Sequence, residues 1–193
     1  MPQYMNKKAG RNREKTARAL HSYQPGNVAL GTATAVHAAV SDTGAQQVIT
    51  TAITNPDVAR TILLTPGGTT ANVTAVSCII TGTDINGNAL TETAPAFSAG
   101  AATTKTTVNA FATVTSITQP AIGTSVTVAY GTTAQLGLPW NLTRNTVIAA
   151  YLGGTKEGTP PTVTTHATDV SKTLVQLSSA LNASAVIVDV YEG

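Results

Sequence analysis

The side chains in this chain that could do chemistry are three histidines, one cysteine and a scatter of acids. His21, His37 and His166 stand alone, with no second His or Cys at the spacing of a tetrahedral metal site, so neither a metal nor a cofactor is expected. A hydrolytic triad needs a Ser or Cys nucleophile beside a His and an acid, and neither Gly-x-Ser-x-Gly nor His-Glu-x-x-His occurs. Cys78 sits in the apolar run 73–81 and reads as a small buried hydrophobe; a lone cysteine also excludes an internal disulfide. Asp42 and Asp84 fall in turn sequences, where a carboxylate caps local backbone groups, and no acidic loop has calcium-binding spacing. His21 reads as a solvated residue and His37 as an ordinary strand residue. Trp140, directly after Leu136-Gly-Leu-Pro139, reads as packed against that turn rather than presented for stacking on a sugar. An enzyme is not expected, and there is no catalytic residue to name.

Charge gives a second kind of candidate. Lys7, Lys8, Arg11, Arg13, Lys15 and Arg18 face only Glu14 within the first twenty residues, a net of +5. The remaining five basic residues meet eight acidic ones, a net of −3, and together the two parts give the chain's +2. A basic arm over residues 1–26, closed by Pro25-Gly26, thus precedes a mildly acidic body over 27–193. The arm is the candidate partner-binding segment. Nucleic acid is a weaker expectation than an acidic protein surface, because the body is acidic and offers no aromatic platform for bases. No apolar run approaches the roughly 18 residues of a membrane-spanning helix, and no apolar stretch follows the N-terminal charges as it would in a secretion signal.

What must position these residues is β structure. Threonine occurs 36 times, aromatics make up 4% and charged residues 10% of the chain, against roughly 25% charge in ordinary soluble domains. Thr and Val favour half-buried pleated surfaces. Period-two patterns predict strands over 34–40, 47–54, 60–65, 113–118, 125–130, 146–152, 162–165, 172–177 and 185–191. In these, Val126, Val128 and Tyr130 share a face that goes inward, and later Val186, Val188 and Val190 share one face. Asn86-Gly87 predicts a hairpin; a two-residue type I′ turn would set Ile85 opposite Asn88, Asp84 opposite Ala89 and Ile80 opposite Thr93. Thr65-Pro66-Gly67-Gly68 has the composition of a type II turn. Short strands separated by Gly, Pro and Asn describe an antiparallel β-sandwich or barrel-like module, with residues 143–193 either completing it or forming a small lobe.

Several stretches, in order, carry a resemblance: Asn55-Pro-Asp-Val-Ala-Arg60, Thr65-Pro-Gly-Gly-Thr69, Ile80-Thr-Gly-Thr-Asp-Ile-Asn-Gly87, Thr91-Glu-Thr93, Phe111-Ala-Thr-Val-Thr-Ser-Ile-Thr118 and Leu136-Gly-Leu-Pro139. Over residues 45–190 this wording resembles virion structural proteins of tailed bacteriophages, most nearly capsid decoration or cement proteins. The resemblance implies a β-rich module, often trimeric, made in the host cytoplasm and bound to the major capsid protein on the outer shell, which it reinforces. A tail component, either tube or receptor-binding fibre, is the alternative. The resemblance implies no membrane and carries over no functional residue.

Overall fold

Thr-, Val- and Ile-rich stretches become strands here because β-branched side chains are stiff at χ1 and pack well on a pleated surface. The computed structural model describes residues 20–191. Within them the chain is all-β: three antiparallel sheets, one curled into a half-barrel, with no α-helix among the described residues. The first sheet orders β1 (Leu20–Val28), β14 (Ser184–Tyr191), β10 (Val147–Leu152) and β11 (Thr155–Lys156). The second orders β12 (Thr162–Thr164), β13 (Leu174–Gln176), β9 (Val126–Gly137), β4 (Arg60–Gly68) and β7 (Lys105–Phe111), with β2 (His37–Ser41) also on β9. The third orders β3 (Gln47–Ile49), β8 (Thr113–Gln119), β5 (Ile79–Thr83) and β6 (Ala89–Thr93).

β9 is the common member of two cores. One of its edges pairs with β4, and the other pairs first with β2 and then with β13. Its first half sends Val126, Val128 and Tyr130 into a cluster with Ile62, Leu64, Ile80, Phe111 and Ile117. Its far end sends Leu136 into a second cluster with Leu138, Leu142, Val175, Val186, Val188 and Val190. The inward face of Val126, Val128 and Tyr130 is therefore buried as expected, and the shared face of Val186, Val188 and Val190 is buried too. Residues 143–191 share the first sheet with β1 and reach the second sheet through β13.

Four local expectations change. The 84–88 hairpin is not a two-residue turn: Thr83 pairs with Ala89 and Ile80 with Glu92, one residue away from the expected register. Asp84 causes this. Its Oδ1 accepts from the amides of Asn86 (2.8 Å) and Asn88 (2.9 Å), and its carbonyl accepts from Gly87 (3.1 Å), which makes a three-residue loop with Gly87 alone at positive φ, +82°. Thr65-Pro66-Gly67-Gly68 is not a turn but the end of β4, paired with residues 126–129 of β9. Pro66 is tolerated because β4 has no partner on its other edge beyond the Leu64–Lys105 pair. The strand from 47 stops at Ile49, and Ala52, at φ 55°, turns the chain away. At the N-terminus, β1 begins at Leu20, so the segment 20–26 assigned to the arm is an edge strand, bulged between Tyr23 and Gly26.

Candidate functional site

The basic residues expected to bind a partner, Lys7, Lys8, Arg11, Arg13, Lys15 and Arg18, lie outside the described residues. The other candidates can be placed. Among the described residues no group of His, Cys, Asp and Glu could hold a metal ion. His37 lies in β2 with Nδ1 2.7 Å from the Ala38 carbonyl. His166 accepts through Nδ1 from the amide of Asp169 at 2.9 Å and so organises a loop. Cys78 is fully buried, with Sγ 3.5 Å from the Tyr130 hydroxyl, which in turn donates to Gln119 Oε1 at 2.7 Å. Burial raises the Cys78 thiol to about 11, which keeps it protonated and unreactive. Asp84 caps its own turn as expected. Asp42 instead caps a distant loop, accepting from the amides of Ile122 (3.1 Å) and Gly123 (3.2 Å).

Two surfaces stand out from these placements. The first is the solvent face of the third sheet. Alternation along β5 turns Ile79, Thr81 and Thr83 outward, opposite Thr93, Thr91 and Ala89 of β6 and opposite Thr118, Ser116 and Thr113 of β8; Val48 of β3 extends the row through Thr118. No side chain on this face is charged. The single charged residue in the four strands, Glu92, points inward and is 8% exposed. Its carboxylate accepts from the amides of Val108 (2.6 Å) and Asn109 (2.9 Å), so it closes the gap between β6 and β7 where no strand ladder forms. Outward hydroxyls partly tie one another down: Thr83 and Thr113 Oγ1 are 2.8 Å apart, and Thr115 donates to the Thr81 carbonyl at 3.1 Å. The result is an ordered grid of hydroxyls and methyls, spaced about 6.8 Å along each strand and about 4.8 Å between strands.

The second is a cleft of about 380 Å³ lined by His21, Pro139, Trp140, Asn141, Leu142, Val190 and Tyr191. β1 and β14 pair Leu20 with Tyr191 and His21 with Val190, and so deliver one wall. The segment after β9 delivers the other. It is pinned by the Leu138 amide on the Thr173 carbonyl (2.9 Å) and the Leu142 amide on the His166 carbonyl (3.1 Å). Trp140 is half-buried, its ring 5.3 Å from that of His21 and edge-on to Tyr23 at 6.4 Å and 83°. His21 is thus not the solvated residue expected, and Trp140 meets β1 rather than only its own turn. Burial raises the Tyr23 hydroxyl to about 12, with Arg60 pulling it down and Asp57 pushing it up. Arg60 itself is 1% exposed, and its two terminal nitrogens both donate to the Ala29 carbonyl at 3.1 Å. Asp57 receives Arg60 Nη2 at 2.8 Å and the Ala29 amide at 2.8 Å. Both ends of the residue-29 backbone are therefore held by one ion pair. Burial lowers the Arg60 pKa, while Asp57 and Tyr23 oppose that shift.

Neither surface was named from the sequence. The first had a signal: Thr81-Gly-Thr83, Thr91-Glu-Thr93 and Thr113-Val-Thr115 place threonine at period two on three strands that turn out to be neighbours. The second had none, because His21, Trp140 and Tyr191 are brought together only by the β1–β14 pairing. The chain matches no protein family, no curated protein and no solved structure.

Proposed function

We propose that this chain is a virion structural protein that binds the outside of a tailed-phage capsid and reinforces it, as a decoration protein does. The observation that carries this reading is the uncharged outer face of the third sheet. Docking such a face removes hydroxyls and methyls from water without stripping charges, and polar groups of this kind recover their hydrogen bonds on a partner surface. Its threonines are β-branched and already restricted at χ1, so little side-chain entropy is lost on contact. A chain with only 10% charged residues, and with wording similar to phage virion proteins, fits the same role. The partner is the major capsid protein, and the protein assembles with itself as a trimer; a single monomeric species by light scattering at micromolar concentration would remove the trimer.

Electron microscopy of purified particles tests the placement. Copies over the head support it, whereas copies confined to the tail assign the chain to a tube or fibre. A variant carrying Thr81→Lys and Thr118→Lys should keep the wild-type melting temperature and lose about tenfold or more in attachment to shells, a change of about 1.4 kcal/mol. Undiminished attachment would take the third sheet out of the contact.

A further inference from the structure

We propose that the cleft beside Trp140 is a binding site for a neutral saccharide ring. Its volume of about 380 Å³ lies within the roughly 300–1,000 Å³ of small-molecule sites. The lining divides by chemistry. Leu142 and Val190 are 2% and 1% exposed and form an apolar floor. Trp140, His21 and Tyr191 supply aromatic rings, and Asn141, exposed at the rim, supplies an amide that both donates and accepts. No Asp, Glu, Lys or Arg is among the described residues that line the cleft. Apart from the His21 imidazole, such a lining gives no counter-charge to a phosphate or a carboxylate, and it gives none to an amine. It suits a ligand that is apolar on one face and rich in hydroxyls at its edge, and a pyranose ring combines the two. Its C–H face lies on an aromatic ring, while equatorial hydroxyls reach the Asn141 amide and the Tyr191 hydroxyl.

The wall is also held in place before any ligand arrives. Trp140 packs edge-on against Tyr23, and its segment is pinned on both sides by the backbone bonds of Leu138 and Leu142. Ordering costs on binding are correspondingly small. This site is independent of the third-sheet face, and it stands or falls regardless of where the protein sits in a particle.

Trp140 is the only tryptophan in the chain, so intrinsic emission reads this cleft directly. The full-length protein is titrated with glucose, galactose and their short neutral oligomers, and in parallel with sialic acid and glucose 6-phosphate. A saturable emission change is expected for neutral sugars, with a Kd of about 1 mM, and about tenfold weaker binding for Asn141→Ala and for Tyr191→Ala. Both positions are exposed, and an unchanged near-ultraviolet circular dichroism spectrum shows that each variant is folded. Binding should persist in added salt, because no charge pairing is involved. A flat titration for every neutral sugar, a response confined to the charged sugars, or one that both variants leave intact overturns the proposal. An emission change driven by salt alone, with no sugar response, assigns the cleft to the basic arm and overturns it equally.

Discussion

Arg60 and Asp57 share a hydrogen-bonded pair but not an environment, since the guanidinium side chain is 1% exposed and the carboxylate side chain 36%. Removing Asp57 strands a charge in the interior, whereas removing Arg60 leaves a carboxylate that water reaches. Asp57→Ala is therefore expected to cost about 3–5 kcal/mol, and Arg60→Leu distinctly less. Urea unfolding of the two variants decides, and the reverse order would mean that the Ala29 carbonyl, not the counter-ion, is what Arg60 requires. Cys78 allows a prediction against pH. Its folded pKa is raised from 9.0 to about 11, burial raising it and the Tyr130 hydrogen bond pulling the other way. The neutral thiol is the form the fold prefers, so its contribution is complete below pH 9 and is lost as pH rises towards 11. Between pH 8 and pH 10.5 the wild-type chain should lose more stability than Cys78→Ala does, and equal losses would contradict the shift. The burial of Cys78 was legible because it lies in an apolar strand pattern. The burial of Arg60 was not: its acceptor, the Ala29 carbonyl, is thirty-one residues away, and no local pattern announces it.

At the level of single elements, the β5–β6 hairpin shows what a turn signal contains and what it lacks. Asn86-Gly87 correctly marked a hairpin, but the same dipeptide serves two-residue and three-residue loops, and the Asp84 carboxylate chose between them. A slip of one residue reverses which face each side chain occupies, which is why Glu92, opposite Ile80, came out buried. The loop and the strand should respond differently to substitution. Gly87 is at φ +82° with nothing near an added Cβ, so Gly87→Val meets only backbone strain, about 1–2 kcal/mol. A Cβ at Gly82 would stand 1.9 Å from the Thr113 carbonyl oxygen and push β5 off β8, so Gly82→Val should cost more, about 3 kcal/mol or above. Thermal melts rank them, and equal losses would place the weak point of the sheet elsewhere. Pro66-Gly67-Gly68 misled for a related reason. Their composition is that of a turn, yet the long β9 supplies a template, and the unpaired edge of β4 makes the missing proline N–H harmless.

Over the whole molecule, period-two alternation made the all-β class and the grouping of both valine faces readable. The division into three sheets was not, since it depends on pairings such as β1 with β14 that join residues remote in sequence. The function proposed for this body leaves a role for the basic residues of the first twenty. Because Leu20 already belongs to β1, a clean truncation ends at Ala19. Deleting residues 1–19 is expected to leave the circular dichroism spectrum of the body unchanged and to weaken attachment to emptied shells by about tenfold or more. Raising salt should produce part of the same loss in the full-length chain. Equal attachment of the two forms would move the whole contact onto the body.

The pairing of β1 with β14 also imposes an order of events in time. Every buried member of the first core lies between Val36 and Tyr130, so that half can collapse once β9 has left the ribosome. β1, made earlier, has no complete partner until Tyr191 emerges, fifty-four residues after Gly137, a wait of roughly 3–10 s at ordinary synthesis rates. Throughout it an edge strand bearing Tyr23 stands open beside an already packed neighbour, an interval in which chaperones or sister chains have access to it. Refolding followed by pulsed hydrogen exchange should protect the amides of β5 and β8 before those of β1 and β14, whereas simultaneous protection would mean that the two cores form as one unit.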